Sequence, residues 1–327
     1  MQLRSQLLNR LADGQFHSGE ALGSALGVSR MAVWKHLKAL RELGLDFEVV
    51  RGKGYRLPAS CDLLDQETIL AALGPQARAG LGPLHVMLEV DSTNSWLREQ
   101  TLNGARSGTV CLAELQHAGR GRHGRHWVSP FAGNLCLSLL WRTSQGAAAL
   151  GGLSLVAGIA VLRCLQSAGI HGAGLKWPND VLVDGAKLAG ILIDVAGEAS
   201  GPCAAIIGIG INISLPESAG AAIDQPWTQL SALAGTTDLS RNRLAAMLID
   251  NLFEVFAEFD SQGLQPFLEE WCKHDVVAGC PVSLQLPHTR VLGTARGIDA
   301  SGALLVETTG GREERFLSGE VSLRVTT

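Results

Sequence analysis

Gln116-His117-Ala118-Gly119-Arg120-Gly121-Arg122-His123-Gly124-Arg125-His126-Trp127 is the stretch on which the reading of this chain turns. Its glycines let the backbone fold back tightly and approach a ligand without Cβ clashes, while Arg120, Arg122 and Arg125 supply charge that no physiological pH removes. Glycine shape combined with arginine charge suggests an anion, most simply a phosphate. The glycines satisfy G-x-G-x-x-G, and a strand-like run over residues 109–115 precedes them. The residues beyond the loop argue against a dinucleotide site: that motif opens a helix, whereas here Trp127-Val128-Ser129-Pro130 leads into the alternating, strand-like Asn134–Trp141. The chain has no V-A-I-K, H-R-D or D-F-G downstream, as a kinase glycine loop requires, and no G-x-x-x-x-G-K-[ST] provides a P-loop. A merely solvated basic loop is the plainer reading, but clustered arginines between two apolar strands would repel one another without compensation.

With 327 residues, 46% of them hydrophobic, the chain can bury a substantial core spread over two or three domains. Its seven cysteines are odd in number, widely spaced and never C-x-x-C, which points to a reducing cytosol and no structural zinc. Among nine histidines there is no H-E-x-x-H, so no metal site is expected from protein ligands alone. The polar start Met1-Gln2-Leu3-Arg4-Ser5-Gln6 lacks a signal-peptide core, and no apolar run reaches the roughly 18 residues that span a bilayer. A cytoplasmic protein without membrane partners is expected. Charge is uneven: residues 1–60 carry nine Lys/Arg against five Asp/Glu, and the remainder is net −8. A basic head on an acidic body suggests an anionic partner for the head.

In that head, residues 3–11 are helix-like, Ser18 can cap a helix through Leu26, Gly27 makes a turn, and Ser29 can cap a helix from Arg30 to Leu43. Val33, Leu37 and Leu40 share one face of the last, and small Gly23 falls at the contact of the two crossing helices. Arg30, Trp34, Lys35 and Lys38 point away from that face, where they would meet a major groove and its phosphates. Residues 47–50 and 54–57 flank Arg51-Gly52-Lys53, a hairpin with a basic tip, so the head reads as a winged helix-turn-helix whose Lys53 lies along the DNA backbone. The competing reading is a three-helix packing module with solvated charges.

After Pro58, residues 59–62 read as a linker, and Asp65 begins a short helix that ends at Gly74-Pro75. A strand over 85–90 leads to Asp91-Ser92-Thr93-Asn94, at the start of a helix from Ser95 to Thr101. Hydroxyls and an amide there are ordinary caps; they are also a neutral donor and acceptor set, as is Gln116 at a strand end. Leu153–Ala168 reads as a buried helix. Lys176-Trp177-Pro178-Asn179-Asp180 turns at its proline into a strand, and Asp184-Gly185 is a two-residue hairpin signal before Lys187-Leu188-Ala189-Gly190-Ile191. Residues 203–214 give a further strand whose Gly208 and Gly210 leave room for a ligand or a neighbouring backbone, with Asn212 beside them. Lys187 alone would be expected to snorkel to water. Beside Arg120 and Arg122 it makes a cationic cluster with no paired acid in the same motifs, stable only with an anion present. Residues 221–274 read as helices, with Leu244, Leu248, Leu252 and Phe256 at steps of four, and from Val276 the pattern changes to about five short strands, a small barrel.

Taken together and in this order, the Ser92–Asn94 block, the glycine–arginine loop, Lys176–Asp180 and Lys187–Ile191, with the winged helix ahead, resemble the bifunctional biotin protein ligases that also repress biotin synthesis. The resemblance covers the whole chain. It implies an α+β multidomain fold: a winged helix-turn-helix over 1–60, a central α/β ligase domain with a mixed sheet, like the class II aminoacyl-tRNA synthetases, over 65–274, and an SH3-like β barrel over 276–327. It implies that Ser92, Thr93, Asn94, Gln116, Arg120, Gly121, Arg122 and Lys187 contact biotin or its activated carboxyl, the neutral set suiting a ureido group. Trp127 and Asn212 would serve the adenylate, and Lys176 and Asp180 the ATP and Mg²⁺ side. Arg120, Arg122 and Lys187 would carry catalysis, since attack of a carboxylate on the α-phosphorus of ATP builds negative charge on attacking and phosphate oxygens. Trp127 would cover a purine, its plainer role being a core tryptophan. The implied reaction forms biotinyl-5′-AMP and passes biotin to one lysine of the biotin carboxyl carrier protein of acetyl-CoA carboxylase. Without an acceptor the loaded protein would homodimerise on operator DNA. Two rivals remain: a lipoate-type ligase on the same scaffold, and a ligand-sensing repressor without ligase activity.

Overall fold

The computed structural model describes residues 2–57, 62–144, 146, 150–197, 201–233, 239–286, 289–318 and 322–325. Of the expected linker 59–62, Asp62 is described and 59–61 lie outside the described residues.

The head contains α1 (Gln2–Leu11), α2 (Gly19–Leu26), α3 (Arg30–Glu42) and a hairpin of β1 (Glu48–Val50) and β2 (Gly54–Arg56). Its helix ends obey the sequence signals: Ser18 Oγ accepts from Ala21 N and Ser29 Oγ from Ala32 N, and Gly27 takes the left-handed φ of 67° that stops α2. A Cβ on Gly23 would lie 2.6 Å from the Val28 carbonyl oxygen, so glycine is what lets α2 and α3 cross this closely. Leu22, Val33, Leu37 and Leu40 are buried with Leu7, Leu8 and Leu11 of α1.

The body opens with α4 (Gln66–Ala72) and α5 (Pro75–Gly80). Gly74-Pro75 therefore starts a second helix as well as ending the first, because proline at N1 has no orphan N–H to satisfy. Next come β3 (Leu84–Val90), α6 (Thr93–Leu102), β4 (Val110–Gln116), β5 (Asn134–Thr143), α7 (Leu153–Ser167), β6 (Ala173–Lys176), β7 (Asp180–Val183), β8 (Ala186–Gly197), β9 (Cys203–Asn212), α8 (Glu217–Gly220), α9 (Arg241–Gln262) and α10 (Leu268–His274). The strands form one sheet in the order β3-β4-β5-β9-β8-β7-β6, parallel only between β3 and β4. The sheet is thus mixed, as expected. The Asp184-Gly185 hairpin forms with φ of 49° and 76° at its two positions.

Strand alternation separates the two faces of this sheet. Leu137, Leu139, Ile207, Ile209 and Ile191 pack with α7 and α9 in the main core, whereas Cys111, Leu140, Ala204 and Ile206 pack against Leu97 of α6. The α6 face is also where Ser138, Gly190, Gly208 and Gly210 lie, and the glycines make way there for the Lys187, Asn94 and Trp127 side chains. Helices were expected over 221–274, but residues 221–229 are not helical. Pro226 and Thr228 instead bond to the backbone of Lys187, in an isolated bridge between Lys187 and Trp227; a 3₁₀ turn follows at Leu230–Ala232, and the next described α-helix is α9 from Arg241.

After α10 come β10 (Pro281–Gln285), β11 (Arg290–Ile298), β12 (Leu304–Thr308), β13 (Glu313–Phe316) and β14 (Ser322–Val325), one antiparallel sheet in the order β13-β12-β11-β10-β14. Val282, Leu284, Ala295, Leu304 and Val306 belong to the same core as α7 and α9, and Trp177 Nε1 donates to Gly302 O at 3.1 Å. The C-terminal sheet is therefore welded to the body. The head is joined more lightly: Leu88 of β3 enters the head's core, and Glu89 accepts from Arg4 of α1 at 2.8 Å while facing His117 Nε2 at 3.0 Å.

Candidate active site and nucleic-acid interface

Helix α6 begins at Thr93, two residues earlier than the sequence suggested, with Ser92 as its N-cap. Thr93 and Asn94 therefore sit in the first helical turn, and both are buried. Gln116 Oε1 accepts from Thr93 N at 2.9 Å and from Thr93 Oγ1 at 3.1 Å, joining the end of β4 to the start of α6. Below them Ser138, fully buried on β5, donates toward Thr93 Oγ1 at 2.7 Å or Asn94 Oδ1 at 2.6 Å. One hydroxyl proton serves both distances, so the three side chains share a polar cluster. Asn94 Nδ2 donates to Leu192 O and to Asp194 Oδ2, each at 3.2 Å.

The glycine–arginine stretch folds as a narrow hairpin. Trp127 N donates to Gly119 O at 2.9 Å and Gly121 N to Arg125 O at 2.7 Å, around a 3₁₀ turn at Arg122–Gly124 in which His123 has φ of 55°. No helix opens there, which fits the rejection of a dinucleotide fingerprint. Arg120 Nη2 donates to Asp194 Oδ2 at 2.6 Å. Arg122 donates to Asn179 Oδ1 at 3.3 Å and to the Ser318 carbonyl, reaching from the loop to the turn that follows β13.

Two expectations are corrected by this geometry. The room beside Gly208 and Gly210 is taken by side chains, since Cβ atoms there would lie 2.3 Å from Asn94 Oδ1 and 2.5 Å from the Trp127 ring. The cations, moreover, do have acids: Lys187 Nζ lies 2.7 Å from Asp180 Oδ1 of a motif block, both side chains only 13% exposed, and Arg120 pairs with Asp194, three residues beyond Ile191. Asp180 Oδ1 is ion-paired with Lys187 and, among the described residues, accepts no hydrogen bond beside that pair. Lys187 Nζ also stands 5.6 Å from the Trp127 ring centroid. Asn212 Nδ2 donates to the carbonyls of Lys187 and Thr228 at 3.3 and 3.0 Å, which makes it an organiser of backbone at the cavity wall.

All twelve candidates, from Ser92 to Asn212, line one cavity of about 1000 Å³. Its α6 end is neutral and hydrogen-bonding. Its other end gathers Lys176, Lys187, Arg122 and Arg125 around Asp180, with Arg324 of β14 at the wall. Burial pulls the Lys176 ammonium below the ordinary lysine value, opposed by Asp180 and assisted by Lys187, Arg125 and Arg324. Burial likewise lowers Arg122, with Asp180 opposing and Arg125 assisting. Among the described lining residues the cations outnumber the acids Asp180 and Asp224, a balance that suits a polyanion. Sequence reasoning missed Ser138, Asp194, Asn179 and Arg324. A lone hydroxyl within the apolar run of β5 and an acid closing the apolar run of β8 were the signals for the first two.

In the head, Arg30, Trp34, Lys35 and Lys38 are all exposed on α3, Trp34 by 51%, and Lys53 is exposed at the wing. Met31 adds 71% exposure on the same helix. Large apolar groups laid bare among cations are unlike a helix packed within a bundle, and fit a surface that meets bases and phosphates.

Residues 3–56 match the HTH domain, 87–212 the Biotin/lipoate A/B protein ligase family and 278–324 the Biotin protein ligase C terminal domain. The chain is 44% identical over 318 residues to the bifunctional ligase/repressor BirA of Salmonella typhimurium, covering 97% of this chain and 96% of that one, and 43% identical over 319 residues to that of Escherichia coli, covering 98% and 96%. The fold resembles the biotin protein ligase of Aquifex aeolicus in complex with biotin and ATP, with a TM-score of 0.63 and 30% identity, over 74% of this chain and 99% of that one. Three domains matched in sequence order and near-complete coverage by relatives lead to one conclusion: the chain belongs to the biotin protein ligase family, in its bifunctional ligase/repressor form.

Proposed function

We propose that this protein joins biotin and ATP to biotinyl-5′-AMP, transfers biotin to one lysine of the biotin carboxyl carrier protein of acetyl-CoA carboxylase, and represses biotin synthesis on operator DNA with the adenylate as corepressor. The observation that carries this reading is one cavity with a neutral hydrogen-bonding end and a cationic end, bridged by the arginine loop. Biotin's ureido ring suits Ser92, Thr93, Asn94 and Gln116, directly or through the surface they shape; its carboxylate then falls toward Arg120, Gly121 and Arg122, facing the phosphates beside Lys187 and Lys176. Lys187, Arg120 and Arg122 take the charge that grows on carboxylate and phosphate oxygens, and Trp127 and Asn212 form the adenylate wall. No covalent protein nucleophile is needed. A nucleotide-borne Mg²⁺ takes one or two carboxylates plus phosphates, and Asp180, whose Oδ1 accepts no hydrogen bond among the described residues beside its ion pair with Lys187, suits that mode; the ion would supply charge neutralisation at the triphosphate. Among the described residues no cluster of three or more metal-ligating side chains competes.

On this reading the domains divide as 1–60, 65–274 and 276–327, the body takes the class II synthetase-like fold, and the C-terminal sheet closes as an SH3-like barrel. Support for the last is that β14 returns beside β10 within five antiparallel strands. The loaded protein homodimerises, and its place is the cytoplasm; among the described residues no helix is long and apolar enough to cross a membrane. The test is ATP–pyrophosphate exchange with biotin or lipoate, then labelling of purified carrier. Biotin-dependent exchange is expected, and neutralising Arg122 and Lys187 together should abolish labelling. Lipoate-dependent exchange would make it a lipoate-type ligase, and no exchange with intact operator binding would make it a sensor.

A further inference from the structure

Asp194 is not among the residues that line the cavity, yet it is the acid on which two separate pieces of the site converge. Its Oδ2 accepts from Arg120 Nη2 of the loop at 2.6 Å and from Asn94 Nδ2 of α6 at 3.2 Å. Two residues earlier on the same strand, the Leu192 carbonyl accepts the other Asn94 amide hydrogen at 3.2 Å. Asn94 is 3% exposed and lies over Gly208, so both amide hydrogens are spent on β8. Arg120 is more open, its side chain 37% exposed against 23% for Asp194.

We propose that Asp194 is a positioning residue for the adenylation reaction: it holds the loop arginine and the Ser92–Asn94 block in one register before substrate arrives. The reasoning is electrostatic. Arg120 sits on a hairpin whose tip carries Arg122 and Arg125, and a loop with that charge is pushed outward by its own cations. One carboxylate at the loop's root offsets that repulsion where the loop meets the sheet. Because Arg120 is partly exposed, the pair is weak enough for a substrate carboxylate to share the guanidinium, which has five donors. Asp194 thereby acts through Arg120 and does not touch the reacting atoms. A loop already in place raises the fraction of protein competent to bind biotin, and apparent affinity falls in proportion when that fraction falls.

This inference rests on the adenylation reading, and wild-type protein separates the two failures: absence of biotin-dependent exchange in wild type counts against that reading, not against Asp194 alone. The experiment measures biotin affinity by calorimetry, and kcat and KM by pyrophosphate exchange, in the full chain carrying Asp194→Asn, Arg120→Met, or both. Asparagine keeps an acceptor oxygen for Asn94 and removes only the charge facing Arg120. Asp194→Asn is expected to raise the Kd and KM for biotin about tenfold, the size of one weakened charge-assisted contact, with kcat at saturating substrate within about twofold. With Arg120→Met already present, Asp194→Asn should add nothing. A Kd for Asp194→Asn within about twofold of wild type would overturn the proposal. So would the same loss of affinity in the Arg120→Met background, since the carboxylate would then act on something other than the arginine.

Discussion

Gly208→Ala tests the wiring beneath the site, because there the ordinary benefit of replacing glycine in a strand opposes a specific obstruction. Removing glycine's extra backbone freedom stabilises a strand by roughly 0.5–1 kcal/mol. Here the new methyl would sit 2.3 Å from Asn94 Oδ1, 2.8 Å from its Cγ and 3.0 Å from its Nδ2, so no rotation of the amide in place clears it. Expelling the amide severs its links to Ser138, Leu192 O and Asp194, at 2.6, 3.2 and 3.2 Å. At about 0.5–1.5 kcal/mol each, three lost hydrogen bonds come to roughly 1.5–4.5 kcal/mol, leaving a net destabilisation of about 0.5–4 kcal/mol. Urea unfolding read by tryptophan fluorescence reports that loss, and biotin titration should show a weaker Kd. The decisive comparison is with Asn94→Ala, which removes the obstructed group: in that background Gly208→Ala should cost nothing. A single mutant as stable as wild type, or an equal cost in both backgrounds, would refute the reasoning.

Features elsewhere in the chain lead to three further expected outcomes. Lys53→Ala at the wing should flatten the salt dependence of operator binding by about one unit in the log–log slope, measured by fluorescence anisotropy, without altering pyrophosphate exchange. Arg241→Met strands the Glu114 carboxylate, whose partner lies at 2.8 Å with both side chains under 5% exposed, and should cost about 3–5 kcal/mol in chemical denaturation. Asp299 is held down to about 2: burial opposes the shift, and hydrogen bonds from Ser301 and the Arg315 guanidinium outweigh it. Because its folded value is depressed, its contribution is full above the unfolded value near 3.8 and disappears as pH falls through about 2. Asp299→Asn should therefore lower the melting temperature at pH 7 and leave it unchanged near pH 2, by differential scanning fluorimetry.

Local chemistry was legible wherever the signal and its consequence lie within a few residues. Ser18, Ser29 and Gly27 fix their helix ends, Asp184-Gly185 fixes its hairpin, and the four motif blocks do converge on one cavity. Pairings between distant segments were not legible, because no local rule brings Asp180 back to Lys187 or Asp194 to Arg120. The consequence was an expectation of unpaired cations, which the folded sheet contradicts. Strand order failed to show for the same reason, since β9 enters between β5 and β8. The helical reading failed over 221–229, where no periodicity supported it and Pro226 and Thr228 exchange backbone bonds with Lys187, and it held at Leu244, Leu248, Leu252 and Phe256, where steps of four carried it.

The same buried network around Arg241 has a geometric consequence for the head. Leu57 is 1% exposed in the head's core, and Arg241 grips Asp62 through its carbonyl at 2.7 Å and its carboxylate. Only about five residue steps separate those two anchors, a leash of at most about 18 Å at full stretch. So short a leash keeps the recognition helix within reach of the body, and Leu88 in the head's core and the Arg4–Glu89 pair hold it in one orientation there. In a pair of bodies, the spacing between the two DNA half-sites would then be measured out by the ligase's own contact surface, with the winged helices as its pointers.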